Sequence, residues 1–311
     1  GRVSGLPLDE WIVLMKEAKK ICDGEGVVLI GSATGPEVSS WVEQVKRTED
    51  IGIKLFELNF GCPNPASMKL EHREGVQIGQ DVKLASEIVH AVSSAVSIPI
   101  IAKLTPQISD MAAMAKAMKR SGAAAVTISN RFMGFVVDVE TGEPMLHGWS
   151  GVGGPWVKPL TLRWISKVYV TMKGFPISGS NGPYDWKDVA EFMMSGATTV
   201  QLASVLLVKG IDYIREVVKE FNEFLDRKGY NSAKDIIGIA ANKAMLYDEI
   251  FKLGRVRSKI DEELCTACGK CLKSCMFGAI ESDGGKFRVT ERCEGCEICY
   301  SICPFDAIKS V

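Results

Sequence analysis

Eight of the ten cysteines fall between residues 265 and 303, in two runs of one spacing. Cys265-x-x-Cys268-x-x-Cys271-x-x-x-Cys275 is followed by Cys293-x-x-Cys296-x-x-Cys299-x-x-x-Cys303-Pro304. An iron–sulfur cube needs four thiolates, and x-x spacing lets three of them come from one tight loop. In the two-cluster ferredoxin run the trailing cysteine of each half serves the other cluster. The expected sets are therefore Cys265, Cys268, Cys271 and Cys303 for one [4Fe–4S] cluster, and Cys293, Cys296, Cys299 and Cys275 for a second. The alternatives are a disulfide knot or zinc sites, but zinc usually takes two Cys pairs across a longer spacer. Thiolates held in this way fit a reducing cytoplasm. The rest of the chain must then deliver electrons to the clusters or remove them.

Outside that tail, the candidates are polar residues at the ends of apolar runs. Asn59-Phe60-Gly61-Cys62-Pro63-Asn64 closes one run and opens a long loop to Gln80. A thiol with a reference pKa of about 8.5 can serve as a general acid or base. The plain alternative for Cys62 is a buried structural cysteine, which is the reading for Cys22. Lys103 is the only charge between Ile98 and Leu104, and a buried ammonium is costly unless paired. Read from the residue alone, it calls for a structural salt bridge. Asn59 and Asn130 carry amides that donate and accept, suited to a cyclic amide, or to capping a strand-end turn. Arg131 follows; its planar, permanent charge suits a carboxylate or phosphate, unless it is a solvated surface arginine. Glu71, His72, Arg73 and Glu74 lie in the loop after Cys62, which is long enough for a lid but reads more simply as a solvated charge cluster. His90 falls in a helix, and His147 has no assigned role.

Taken in order, Asn59-x-x-Cys62-Pro63, Ala102-Lys103-Leu104-Thr105-Pro106, Ser129-Asn130, Gly153-Gly154-Pro155 with Lys158-Pro159, Asn181-Gly182 and the cysteine runs resemble one family. The chain looks like the dihydroorotate and dihydropyrimidine dehydrogenases. It is most similar to their bacterial members that join an FMN barrel to a two-cluster ferredoxin tail. The resemblance covers nearly all of the chain. It implies that Cys62 is the general acid/base, exchanging a proton with a substrate carbon while the flavin exchanges a hydride with its neighbour. Asn59, Asn64 and Asn130 would bind substrate amides or the flavin edge, and Lys103 would reach the flavin N1/O2 edge. Gly153, Gly154, Asn181, Gly182, Ala203 and Ser204 would hold the cofactor, the last of them through backbone groups at its phosphate. Three positions depart from the family pattern. Gly153 replaces a serine, Asn181 replaces a glycine, and Arg131 stands where relatives acting on pyrimidines carry threonine. The implied reaction reduces or forms a C–C double bond next to a carbonyl. No strand-end Gly-x-Gly-x-x-Gly is present, so electrons would come from an FAD/NAD(P)H-binding partner subunit or an external ferredoxin, within an oligomer. The competing readings are an electron-relay subunit, a ferredoxin fused to a non-catalytic binding barrel, and an FMN reductase for an anionic unsaturated substrate.

The elements that must position these residues alternate between strand and helix. Apolar runs at Gly26–Gly31, Ile53–Phe60, Ile98–Leu104, Ala123–Asn130, Phe175–Ser180 and Thr199–Ser204 predict six strands. Helix-period stretches at Leu8–Ile21, Val38–Glu49, Asp81–Ser94, Met111–Ser121, Trp186–Met194 and Ile211–Phe224 predict helices beside them. Such alternation implies parallel strands with crossover helices. A doubly wound sheet is one solution. Polar residues at the strand C-termini (Asn59, Lys103, Asn130, Ser180, Ser204) favour a (β/α)8 barrel, whose sites gather there. The expected fold is thus an α/β TIM barrel over residues 1–255, with about two N-terminal βα units absent from this chain. A small α+β two-cluster ferredoxin-like domain is expected over 256–311. Asn231–Leu253 is expected to be a helical connector, and Asp283-Gly284-Gly285 a turn between the ferredoxin halves. The 311 residues are 46% hydrophobic and 24% charged, with a formal net charge of −1. That composition supports a core and argues against nucleic-acid binding. No apolar run reaches the roughly 18 residues of a membrane span, and the Gly1-Arg2-Val3-Ser4 start does not read as a signal peptide.

Overall fold

Period-two alternation decides which side of the main sheet each residue faces. In the computed structural model, which describes residues 6–62, 75–246, 249–250 and 257–310, the strands β1 (Gly31–Ala33), β2 (Phe56–Asn59), β3 (Ile100–Lys103) and β4 (Ala125–Ile128) lie side by side. They continue into β7 (Ile177–Gly179) and β8 (Thr199–Val200), giving a six-stranded sheet of order β1-β2-β3-β4-β7-β8 in which every pairing is parallel. Phe56, Leu58, Ile100, Ala102, Val126, Ile128 and Ile177 face the helices and join one buried cluster with Trp41, Ile88, Met114 and Ile165. Glu57, Asn59, Lys103 and Thr127 alternate with them and point to the other face. That face is mixed, with Ile101 and Ala125 beside the polar residues, and Glu57, Ile101 and Thr127 on it are buried.

The leading helix α1 (Leu8–Gly24) and the crossover helices α2 (Val38–Asp50), α4 (Val82–Ala95), α5 (Met111–Arg120), α6 (Lys158–Thr171) and α7 (Trp186–Met194) cover the apolar face, with the short α3 (Val76–Gln80) ahead of α4. Side-chain caps set several of their starts: Asp81 accepts from the amides of Lys83 and Leu84, Asp110 from Ala112 and Ala113, and Asp185 from Lys187 and Asp188. Each cap satisfies orphan N–H groups of a first turn.

The structure corrects several sequence expectations. The apolar run at 27–30 is not a strand; Val27, Val28 and Ile30 are exposed, and pairing begins at Gly31, whose N–H donates to the Leu55 carbonyl. Ser204 does not end a strand but opens a short helix, α8 (Ser204–Lys209). The following helix, α9 (Tyr213–Lys228), buries Val217, Phe224 and Leu225, while Ile211 and Val218 stay exposed. Of the expected connector over 231–253, the described part shows single 3-10 turns at Ala233–Ile236 and Ala241–Lys243 and helical backbone at 249–250; 247–248 and 251–253 lie outside the described residues. An antiparallel pair, β5 (Phe132–Gly134) with β6 (Ser150–Val152), was not anticipated.

The chain divides into two compact units, Gly1–Lys243 and Ala244–Val311. The second unit is built as two like halves. The interval from Cys265 to Cys293 also separates α10 (Lys270–Ser274) from α11 (Ile298–Ile302), and left-handed Gly269 and Gly278 from Glu297 and Asp306. β9 (Ser258–Ile260) pairs with β12 (Ile308–Ser310), which ties the first segment to the last. β10 (Ile280–Asp283) pairs with β11 (Lys286–Val289) across the expected Gly284-Gly285 turn.

Candidate active site and cysteine cavities

The C-terminal ends of β3, β4, β7 and β8 surround a cavity of about 370 Å³. Its walls include Lys103, Asn130 and Arg131, the backbone of Gly153, Gly154, Asn181 and Gly182, and Gln201, Ala203 and Ser204. Most of the residues singled out in the barrel therefore meet in one place. Register explains part of this convergence: Asn59 lies opposite Lys103, and Lys103 opposite Thr127.

Lys103 is held by a network that the sequence did not reveal. Its ammonium donates to Gln201 Oε1 at 2.6 Å and lies 3.2 Å from Glu57 Oε1. Glu57 Oε2 accepts from Thr127 Oγ1 at 2.6 Å and from Gln201 Nε2 at 2.9 Å. A lone charge in an apolar strand called for a partner, so the position of Lys103 was the available signal for a missing carboxylate.

A chain of amides fixes the rest of the rim. Asn59 Oδ1 accepts from Asn130 Nδ2 at 2.9 Å and from the Gly61 amide at 3.2 Å. Asn130 Oδ1 accepts from the Arg131 amide at 2.8 Å, and the Asn130 carbonyl accepts from Asn181 Nδ2 at 2.9 Å. A Cβ at Gly61 would lie 2.5 Å from Asn130 Cβ, so only glycine lets the loop after β2 pass this close. The Arg131 guanidinium runs along the cavity wall and donates to the Gly151 carbonyl at 3.3 Å. Lys158 anchors the far side through Asp188 at 2.6 Å and Glu191 at 2.7 Å. Burial alone would lower its pKa, but these hydrogen bonds prevail and raise it.

Cys62 is buried, 5% exposed, and its carbonyl accepts from the Val76 amide at 2.9 Å. Neither Cys62 nor the expected site residue Asn59 is among the residues lining the cavity; Asn59 reaches it through its hydrogen bond from Asn130, which does line it. Asn64 and the cluster Glu71, His72, Arg73 and Glu74 lie outside the described residues. His90 and His147 are exposed.

In the second unit the eight cysteines sort into two groups around two small cavities of about 20 Å³ each. Cys265, Cys268, Cys271 and Cys303 line one with Ile260, Phe287 and Ile308. Cys275, Cys293, Cys296 and Cys299 line the other with Phe277, Ile280 and Val289. The thiols ring a space rather than converging on a point. Among the described residues, no three His, Cys, Asp or Glu side chains gather as around a single metal ion. The Ala279 amide donates to Cys275 Sγ at 3.3 Å, a contact suited to a sulfur bearing negative charge. Burial pushes the Cys271 thiol up, and Cys265 and Cys268 push the same way; bound iron would reverse that balance and hold the thiolates.

Residues 9–225 match the dihydroorotate dehydrogenase family, and residues 258–310 match the 4Fe-4S dicluster domain. The chain belongs to the dihydroorotate dehydrogenase family. It is 30% identical over 284 residues to the NAD-dependent dihydropyrimidine dehydrogenase subunit PreA of Escherichia coli (strain K12), covering 89% of this chain and 68% of that protein. It is 31% identical over 238 residues to the catalytic subunit of dihydroorotate dehydrogenase B (NAD(+)) from Pyrococcus abyssi (strain GE5 / Orsay), covering 76% of each. A crystal structure of ligand-free dihydroorotate dehydrogenase from Eimeria tenella matches with a TM-score of 0.55 at 18% identity. That match covers 65% of this chain and 59% of that one, and is a likeness of fold. The family's TIM-barrel fold accounts for the parallel sheet and its helices, and the dicluster domain for the cysteine-bearing unit. The protein is an iron–sulfur flavoprotein oxidoreductase of this family. Among the described residues, no helix is long and apolar enough to cross a membrane.

Gly153 and Asn181, the two loop positions expected to depart from the family pattern, are in direct contact. Asn181 sits at φ 72°, a conformation that asparagine tolerates. Its Oδ1 accepts from the Gly154 amide at 3.2 Å. A Cβ at Gly153 would lie 2.4 Å from that Oδ1 and 3.2 Å from Arg131 Cγ. The asparagine amide thus fills the room a serine at 153 would need. Gly153→Ser alone and Asn181→Gly alone are expected to destabilise the protein. The double variant should be milder than the sum, with a coupling of about 0.5–3 kcal/mol in chemical denaturation. Strict additivity would show that the two positions are independent.

Proposed function

We propose that this protein reduces or forms the C–C double bond beside a carbonyl in a small unsaturated amide or acid, in the manner of dihydropyrimidine dehydrogenases. FMN would occupy the cavity at Lys103, and the two cysteine cavities would each take a [4Fe–4S] cluster with the crossed sets above. The observation that carries the reading is the cavity itself. It sets one ammonium, the Asn130 amide and a run of open backbone at Gly153, Gly154 and Gly182 around a single space. Those groups fit an isoalloxazine edge and a phosphate, and Gly154 and Gly182 hold positive φ where a side chain would close the approach. Bound there, FMN would supply the centre that exchanges a hydride with substrate.

The chain's own residues have separable tasks. Lys103 presents positive charge to the flavin edge. Asn59 and Asn130, already joined to each other, offer donors and acceptors that orient a ring amide. Cys62 exchanges a proton with the substrate carbon next to the one that exchanges the hydride, and is reloaded from solvent. Arg131 at the wall favours a second substrate reading, an anionic unsaturated ring or acid. Electrons would reach the clusters from an FAD/NAD(P)H-binding subunit or an external ferredoxin; the E. coli relative is named as a subunit and as NAD-dependent. Thiolate-held clusters would fit a reducing cytoplasm.

Two measurements test this reading. Anaerobically prepared full-length chain should contain about one FMN, and about eight iron and eight sulfide, as two four-iron clusters require. Half that iron would reject the crossed pair of clusters. With an artificial reductant, the loaded protein should reduce uracil, thymine or a related unsaturated amide or acid; inactivity on all of them would reject the reaction class.

A further inference from the structure

Glu57 stands two residues before Asn59, on the polar face of β2, and is 7% exposed. It does not line the cavity; it meets the site through Lys103 and Gln201, which do. The donor and acceptor chemistry leaves one arrangement. An ammonium only donates and a carboxylate only accepts, so Gln201 must turn its Oε1 to Lys103 and its Nε2 to Glu57, as it does at 2.6 and 2.9 Å. Thr127 Oγ1 donates to the same Glu57 oxygen at 2.6 Å. Residues from β2, β3 and β4, together with Gln201 just past β8, thereby aim one ammonium at the cavity and set a carboxylate 3.2 Å behind it.

We propose that Glu57 is a positioning residue that holds Lys103 at the cavity and, by its opposite charge, lowers the reduction potential of the flavin bound there. The inference rests on the placement of FMN over Lys103. Reducing a flavin places negative charge on the ring edge that a neighbouring cation stabilises. A carboxylate in contact with that cation offsets part of the stabilisation, and in a partly buried site the offset is not screened away. Lys103 alone would make the flavin a strong electron acceptor. With Glu57 behind it, the flavin stays a stronger donor, as suits a centre that passes electrons on to an unsaturated substrate.

The test is a spectroelectrochemical titration of FMN-loaded full-length protein as wild type, Glu57→Gln, Lys103→Gln and the Glu57→Gln/Lys103→Gln double variant. Glu57→Gln should shift the reduction equilibrium about tenfold towards reduced flavin, about 30 mV for a two-electron couple. Lys103→Gln should shift it in the opposite direction. The double variant should lie above Lys103→Gln and return towards wild type. It also guards against a Glu57→Gln protein that fails to fold, because it leaves no uncompensated buried charge. A merely structural glutamate would change melting temperature but not potential. An unchanged or lowered potential in Glu57→Gln, or a double variant equal to Lys103→Gln, overturns the inference. If Lys103→Gln itself leaves the potential unmoved, the flavin is not over Lys103, and it is the placement of the cofactor that fails.

Discussion

Cys62→Ala should slow turnover by about 10²–10⁴-fold, the usual contribution of a general acid/base, while FMN and both clusters stay bound. The side chain is buried, and the bond from the Val76 amide goes to its backbone carbonyl, so alanine keeps the contact that holds the loop. Cys62→Ser should be nearly as slow, because a hydroxyl is a far weaker acid than a thiol. The loss should appear in the step that moves substrate protons. Reduction of the flavin through the clusters should keep its wild-type rate. Steady-state rates of the alanine variant equal to wild type would remove the acid/base role and favour an electron relay.

Arg131→Thr should separate substrates by charge. Arg131 lines the cavity, with its guanidinium beside the Gly151 carbonyl, where a substrate carboxylate could receive two of its donors. Charged hydrogen bonds contribute about 1.5–3 kcal/mol, so kcat/KM on carboxylated substrates should fall roughly 10- to 100-fold. Neutral ring amides should be affected little, or improved by the threonine hydroxyl. Equal losses on both sets would mean that the arginine serves the β5–β6 pair through its Gly151 contact and not the substrate.

Much of this architecture was legible because it is local. The cysteine runs predict two halves, and the second unit repeats its landmarks at that interval, down to the left-handed residues ahead of each helix. Helix positions followed from apolar period alone; the structure adds Asp81, Asp110 and Asp185 as the caps that set three of their starts. Hydrophobicity failed where it had to give register. The run at 27–30 is as apolar as any strand, yet the ladder starts at Gly31, because pairing depends on which residues of β2 are opposite. Glu57 was passed over for a related reason. A charge inside Leu55-Phe56-Glu57-Leu58-Asn59 reads as an interruption until Lys103, Thr127 and Gln201 arrive from other strands. The contact between Asn181 and Gly153 was hidden in the same way, because it joins two loops far apart in the sequence.

The central claim is that electrons held on the clusters reach an unsaturated substrate through the flavin at Lys103. It is tested most directly by reducing the fully loaded chain anaerobically with dithionite, removing the excess, and adding uracil or a related unsaturated amide or acid while recording flavin absorbance and cluster EPR. Flavin and cluster signals should both return to the oxidised state, with saturated product formed in proportion to the electrons lost, and in Cys62→Ala the same return should be slowed. Reduced flavin and clusters that persist in the presence of every such substrate, yet reoxidise promptly with an artificial acceptor, would contradict the account.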